Sequence, residues 1–70
     1  MNKDELEVLS LLFSRMTEIK VDELQSQLGF PMNRIRGTLE DLFQKGFIHY
    51  QEDSCFISEA GSFEAGSRWG

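Results

Sequence analysis

The chain has 70 residues, of which 12 are acidic and 7 are basic, so its formal net charge is −5 and its pI is about 4.6. This length allows one small domain with a compact core, and it leaves no room for a lid domain or an extended active-site cleft. The acidic balance argues against a protein that coats nucleic acid non-specifically, because such proteins carry an excess of positive charge.

The sequence does not predict a disulfide, a metal site or a membrane segment. Cys55 is the single cysteine and His49 the single histidine. A disulfide within the chain is therefore excluded, and a zinc or iron–sulfur site would need more ligands, so we expect no metal and no other cofactor. Asp4, Glu5 and Glu7 interrupt the first apolar stretch, which argues against a signal peptide or a membrane helix. These features predict a cytoplasmic protein.

No pattern typical of catalysis is present in the sequence. There is no nucleophile motif, no glycine-rich phosphate-binding loop, and no pair of carboxylates placed to share a pocket. We therefore predict that the chain is not an enzyme and that it has no catalytic residues.

The first predicted element is a helix over about residues 3–16. Asn2 can cap this helix, and Glu5, three residues later, completes the pattern of a capping box. One apolar stripe recurs at helical spacing and predicts a core-facing side. The stripe consists of Leu6, Leu9, Leu12, Phe13 and Met16. After this helix, Ile19 stands alone among polar residues, which suits a short edge strand.

Two further helices are predicted on either side of a glycine. The second helix begins near Val21 or Asp22 and stops at Gly29, the residue type that most readily takes a left-handed conformation past a helix end. Pro31 suits the first turn of a third helix over about residues 31–45, because its missing N–H would lack a partner there. The apolar positions of the two helices are Leu24, Leu28, Ile35, Leu39 and Leu42.

The outer face of the third helix leaves several interpretations open. Gly37 in mid-helix is disfavoured by about 1 kcal/mol relative to alanine. It indicates either a close helix crossing, which we favour, or a close approach of a ligand to the backbone. Arg36 either reads DNA or pairs with Glu40 at a spacing of four residues. Arg34 either contacts DNA or is simply solvated.

A hairpin is predicted after the third helix, with strands near residues 47–51 and 55–58. An even-numbered loop between the strands places a fully apolar set on one face, so we prefer this register. An odd-numbered loop would group Cys55 with His49 instead. The apolar set consists of Ile48, Tyr50, Cys55 and Ile57, and Phe56 and Phe47 then point outward or to the domain margin.

The last segment is predicted to add one helical turn. Ser58 can cap this turn, with Ala60 and Phe63 packing back onto the first helix. Glycine and serine become frequent after that point. We therefore assign residues 1–65 to the domain and residues 66–70 to a flexible C-terminal tail.

Three short motifs carry a resemblance to a known superfamily. A leucine-glycine corner at Leu28-Gly29 leads into the third helix, Lys45-Gly46-Phe47-Ile48 ends it, and Ser58-Glu59-Ala60-Gly61 follows the hairpin. With Ile35, Leu39 and Leu42, these motifs make residues 22–61 resemble the core of winged helix-turn-helix regulators such as the MarR-like and ArsR-like families.

The resemblance implies a fold and a mode of action. The fold is a small α+β domain of three helices with a two- to three-stranded antiparallel wing. The third helix of such regulators enters the major groove of double-stranded DNA through its N-terminal residues. The residues in the corresponding positions are Met32, Asn33, Arg34, Arg36 and Gly37.

Charge divides the sequence into two unequal parts. Residues 30–46 contain three basic and two acidic side chains, a net +1 in a chain of net −5, so the remainder carries −6. A locally basic helix start is compatible with specific DNA docking. The wing tip, however, is Glu52-Asp53, and two carboxylates facing a phosphate backbone would repel it.

Two functions from different classes are therefore carried forward. The first is a small sequence-specific transcriptional regulator that docks its third helix in DNA, which we favour because it is the commonest use of the fold. Since one module reads one half-site, this function would call for a homodimer. The second is an acidic interaction module that docks a basic protein or mimics nucleic acid. Its contact residues would be Glu52, Asp53, Phe56 and Trp69, the last of which either anchors a partner or folds back on the first helix.

Overall fold

Four helices and one three-stranded antiparallel sheet form the fold in the computed structural model, which describes residues 1–69. In chain order the elements are α1 (Lys3–Arg15), β1 (Ile19–Lys20), α2 (Val21–Leu28), α3 (Met32–Gln44), β2 (Ile48–Tyr50), β3 (Ser54–Ile57) and α4 (Glu59–Trp69). The strands lie in the order β1-β3-β2. The predicted α+β class is confirmed, but the predicted count of three helices is wrong.

The predicted capping box begins α1. The Asn2 side chain accepts a hydrogen bond from the Glu5 backbone N–H at 2.9 Å, and the Glu5 carboxylate accepts one from the Asn2 backbone N–H at 2.8 Å. The helix ends at Arg15, one residue earlier than predicted, because Met16 takes a left-handed conformation with φ of 54°. The cap therefore fixes the start of α1, and Met16 fixes its end.

The corner between α2 and α3 forms at the predicted glycine. Gly29 has φ of +73°, and its backbone N–H donates to the Gln25 carbonyl at 2.8 Å. Pro31 was predicted in the first turn of α3, and this is wrong. It precedes the helix in an extended conformation, and its carbonyl accepts the backbone N–H of Ile35 at 3.0 Å. Pro31 is thus the N-cap residue of α3, and its carbonyl accepts the first hydrogen bond of the helix.

The hairpin has the preferred register. Ile48 lies opposite Ile57 and Tyr50 lies opposite Cys55, so the even-numbered loop is confirmed. On its other side β3 pairs with β1, where Ile19 lies opposite Cys55. The predicted edge strand at Ile19 is therefore confirmed, and one face of the sheet closes over the helices while the other remains exposed.

We expect Cys55 to react slowly with a thiol reagent in the folded state. Its side chain is only 1% exposed, and burial, together with the nearby Glu18 carboxylate, raises the pKa of the thiol to about 12. Since the thiolate is the reactive species, labelling should be at least about 100-fold slower in buffer than in denaturant. Stopped-flow labelling at pH 8 measures this ratio, and equal rates would contradict the burial.

The last helix is longer than predicted and faces the other way. It extends to Trp69, so residues 66–69 of the expected tail belong to α4, and Gly70 lies outside the described residues. Gly61 and Ala65 face the core, whereas Ala60 and Phe63 are exposed, so the prediction that Ala60 and Phe63 pack on α1 is wrong. Gly61 determines which side of α4 faces the core, because only a residue without a side chain fits against the backbone of Phe47.

Ser58 connects α4 to the end of α3. Its hydroxyl accepts the backbone N–H of Gly61 at 3.0 Å and donates to the Gly46 carbonyl at 2.6 Å. The predicted cap is confirmed by the first of these bonds. The second fixes the start of α4 beside the hairpin.

The core lies between the helices and the inner face of the sheet. Its buried apolar residues are Val8, Leu9, Leu12, Ile19, Val21, Leu24, Ile35, Leu39, Leu42, Ile48, Cys55, Ile57 and Ala65. Within residues 1–69, no helix has both the length and the apolar character needed to cross a bilayer.

Candidate functional site

The solvent face of α3 is open along its length. This face is lined by Asn33, Arg36, Gly37, Glu40 and Gln44, all of them exposed. Of the residues proposed to contact DNA, Met32 is the exception, since it is half-buried and packs against the core. The remaining four lie on the surface of the first two turns of α3.

Gly37 has no structural reason within the chain to lack a side chain. No atom lies within 4 Å of the position that a Cβ would occupy there. The favoured interpretation, a close helix crossing, is therefore wrong. Close approach of a ligand to the backbone remains a prediction.

We expect Gly37→Ala to raise the free energy of unfolding by up to about 1 kcal/mol. Alanine gains helix propensity at this open position and meets no neighbour. Chemical denaturation measures the change. A loss of stability would show that the surroundings of Gly37 are more crowded than the structure indicates.

Arg34 is held by the start of α1. Its guanidinium binds the Asp4 carboxylate through two hydrogen bonds of 2.7 Å and lies 4.0 Å above the Phe30 ring. The hydrogen bonds raise the pKa of Arg34 and lower the pKa of Asp4. Arg34 on α3 is thus paired with Asp4 on α1, so it is not a simply solvated side chain.

Lys45, just past the end of α3, is held by the same turn of α1. Its ammonium group donates to the Glu5 carboxylate at 2.6 Å. The Glu5 side chain is only 3% exposed, and its hydrogen bond from Lys45 lowers its pKa despite the burial. The first turn of α1 therefore neutralises one basic side chain near each end of α3.

Arg36 connects α3 to the hairpin. Its guanidinium donates to the Tyr50 hydroxyl at 3.0 Å and to the Glu52 carbonyl at 3.2 Å. The alternative pairing with Glu40 is absent from the ion pairs found among residues 1–69. Arg36 positions the hairpin relative to α3, a role that its sequence context did not reveal.

The hairpin end carries three carboxylates, which we call the acidic tip: Glu18, Glu52 and Asp53. Glu52 and Asp53 are exposed at the turn. Glu18 joins them because its carboxylate accepts the Ser54 hydroxyl at 2.8 Å. The Asp53 carbonyl accepts the backbone N–H of Val21 at 2.8 Å, which fixes the turn against α2.

An aromatic pair lies on the outer face of the sheet beside the acidic tip. The rings of His49 and Phe56 are 4.6 Å apart, and Phe56 is 40% exposed. Ser54 and Phe56 alternate with the buried Cys55, so they share this outer face. The sequence contained the signal for this pair, since the even register that aligns Ile48 with Ile57 also aligns His49 with Phe56.

Trp69 lies elsewhere on the molecule. It lines a groove with α1 and is 45% exposed. Of the residues proposed for protein interaction, Glu52, Asp53 and Phe56 are therefore brought together on the hairpin, and Trp69 is not. The structure favours the fold-back interpretation of Trp69 over membership of the hairpin surface.

The hairpin end combines carboxylates, an aromatic pair and one bridging guanidinium. Within residues 1–69, no group of three or more His, Cys, Asp or Glu side chains is arranged to hold a metal ion. Comparisons with models of known protein families, with curated proteins and with solved structures find no match to this chain.

Proposed function

We propose that the chain is a winged helix-turn-helix module that binds a basic protein segment through the outer face of its hairpin. This proposal rests on one observation. The basic side chains of α3, and Lys45 just past its end, are already bound to other groups of the same chain. Arg34 binds Asp4, Arg36 binds Tyr50 and the Glu52 carbonyl, and Lys45 binds Glu5.

The charge distribution supports a basic partner over DNA. Four of the seven basic side chains are in ion pairs. A protein that binds DNA gains affinity by neutralising phosphates with Lys and Arg, and each pair broken for that purpose offsets part of the gain. The acidic tip would also repel a phosphate backbone, whereas it attracts a lysine- or arginine-rich segment.

The outer face of the hairpin has the layout of a small binding surface. Phe56 and His49 offer an aromatic centre, and the acidic tip supplies a charged rim. Interfaces commonly combine an aromatic centre with a polar rim, and aromatic side chains dominate their binding energy. An arginine of the partner could place its guanidinium over Phe56 while it pairs with a tip carboxylate.

DNA reading by α3 is the second candidate. Asn33, Arg36 and Gly37 lie exposed on one open face, and these residue types suit contacts with base edges. The Arg34–Asp4 pair is on the surface, where such pairs contribute only about 0–1 kcal/mol and can exchange for a phosphate contact. This candidate fits the commonest use of winged helices, yet it leaves the acidic tip unexplained.

An NMR titration separates the two candidates. Amide shifts of the ¹⁵N-labelled chain would be recorded with a synthetic arginine-rich peptide and with random-sequence duplex DNA, each at low and moderate salt. The proposal expects the peptide to shift residues of the acidic tip and the His49–Phe56 pair, with weaker binding at higher salt. DNA-induced shifts confined to residues 33–37, without a response to the peptide, would favour the second candidate.

We expect the double variant Glu52→Gln/Asp53→Asn to weaken peptide binding by about 5- to 10-fold at low salt, since it removes two attractive charges at the rim. Glu40→Gln/Asp41→Asn makes the same change in net charge on α3 and should have a much smaller effect. Fluorescence titration of both variants provides the comparison. Equal weakening by the two variants would mean that net charge, not the tip, attracts the peptide.

A further inference from the structure

A groove between α1 and α4 shares no lining residue with the proposed hairpin surface. It has a volume of about 570 Å³ and opens to solvent. Its apolar walls come from Leu6 and Leu11 of α1, Leu28 of α2, and Trp69 of α4, and Lys3 and Glu7 lie at its edge. The groove is large enough to hold an aromatic side chain.

The outward face of α4 presents such a side chain. Phe63 is 80% exposed, the highest value among the exposed large hydrophobic side chains in the described part of the chain. It points away from the core because Gly61 and Ala65 take the inward positions of the helix. The ring contributes nothing to the core, and covering it by another molecule would remove its apolar surface from water.

Gly66 lies midway between Phe63 and Trp69 on α4. Its backbone is helical, and no atom lies within 4 Å of the position that a Cβ would occupy. Neither its conformation nor crowding within the chain accounts for a glycine there. A neighbouring helix that crosses at Gly66 would account for it, since glycine permits the closest approach of two helix backbones.

We propose that two copies of this chain form a two-fold dimer in which their α4 helices pack antiparallel and cross at Gly66. Phe63 and Trp69 are each three residues from Gly66. An antiparallel register centred on Gly66 therefore brings Phe63 of one copy to the level of Trp69 in the other, at the groove. The contact is self-complementary, as two-fold symmetry requires: each copy offers one ring and one groove.

The charges at this surface also fit a second copy. The edge of the groove carries one positive and one negative side chain, Lys3 and Glu7. On α4, Glu64 and Arg68 neutralise each other in an ion pair of 3.0 Å. The surface is thus locally balanced, while each copy as a whole carries −5 and repels the other. Salt should therefore strengthen the dimer, the opposite of its effect on a basic partner.

The expected area places the dimer among weak complexes. Covering Phe63, the exposed part of Trp69 and the groove walls of two copies removes less than about 1,000 Å² from solvent, since a whole ring buries roughly 150–250 Å² and Trp69 is only 45% exposed. Interfaces of this size lie at the low end of the specific range and are typically transient. We therefore expect a dimer that dissociates readily on dilution.

Analytical ultracentrifugation of the full chain at 5 µM to 1 mM, in 0.05 and 0.5 M salt, tests the proposal with three variants. Phe63→Glu introduces a charge where the ring meets the groove, and Gly66→Leu blocks the crossing. Phe63 is exposed, Gly66 is half-buried with open space at its Cβ position, and circular dichroism verifies that both variants fold. Phe56→Glu is the matched control, because it makes the same substitution on the outer face of the sheet.

The expected result is dimerisation of the wild type that tightens with salt, at least 10-fold weaker association of Phe63→Glu and Gly66→Leu, and unchanged association of Phe56→Glu. A wild type that stays monomeric at 1 mM in 0.5 M salt would overturn the proposal. Dimerisation that survives both α4 substitutions, or that is lost in Phe56→Glu alone, would also overturn it by placing the contact elsewhere. Neither outcome depends on whether the hairpin binds a basic partner.

Discussion

Replacing Gly61 by alanine should lower the free energy of unfolding by about 3 kcal/mol or more, the largest effect expected for adding a single methyl group to this chain. A Cβ at this position would overlap the carbonyl oxygen of Phe47. It would also lie 2.8 Å from the Phe47 carbonyl carbon and 2.9 Å from Cγ1 of Ile57. Since Phe47 O also accepts the backbone N–H of Ser58, α4 cannot move away without loss of that bond.

Thermal and chemical denaturation measure this change. A domain of this size has a total stability of roughly 4–10 kcal/mol, so the variant should melt at least about 12 °C lower or fail to fold. Gly66→Ala, in the same helix, is the matched control. At 5 µM, where we expect a monomer, it should be neutral or stabilising by up to about 1 kcal/mol. Equal effects of the two substitutions would mean that the close approach at Gly61 does not exist.

The sequence was most informative where a single residue type fixes the local backbone. Asn2 with Glu5 defined the start of α1, and Gly29 defined the corner between α2 and α3. The hairpin register was predictable because only one of two alternatives buried an apolar set. The two helix ends depend on residues close in sequence, whose conformational preferences act before any tertiary contact forms. The register depends on burial, but its two strands are neighbours in the chain, so both alternatives could be compared from the sequence.

The orientation of α4 was not predictable in this way. Its composition is rich in glycine, alanine and serine, so the apolar pattern is weak and wrongly predicts Phe63 on the buried side. The orientation is decided by the contact of Gly61 with the backbone at Phe47, 14 positions earlier in the chain. A steric constraint between segments so far apart leaves no periodic signal in the sequence of α4.

The candidate site was predictable only in part, for a similar reason. The sequence identified the exposed positions of α3 and the carboxylates at the turn. It did not reveal that Arg34 would meet Asp4, 30 positions away, or that Lys45 would meet Glu5, 40 positions away. These contacts change the interpretation of α3 from a basic surface to a largely neutralised one, and they depend on how α1 crosses α3.

The Lys45–Glu5 contact yields the second large effect. Lys45→Met should lower the free energy of unfolding at pH 7 by about 1–3 kcal/mol, because it leaves the buried Glu5 carboxylate without its charged partner. Methionine retains most of the aliphatic stem, so the packing of residue 45 is largely preserved. Lys20→Met removes the same charge without breaking an ion pair found among residues 1–69, and it should have a smaller effect.

The pH dependence distinguishes the loss of this contact from a general loss of packing. The hydrogen bond from Lys45 lowers the pKa of Glu5 from its ordinary value of 4.5. A carboxyl group whose pKa is lowered by folding stabilises the fold above its unfolded pKa and loses that contribution as the pH falls through its folded pKa. The difference in stability between wild type and Lys45→Met should therefore be fully present above about pH 5.5 and shrink below pH 4.5. Urea denaturation from pH 3 to 7 measures both chains, and a difference that stays constant over this range would show that Lys45 stabilises the fold by packing and not through the carboxylate of Glu5.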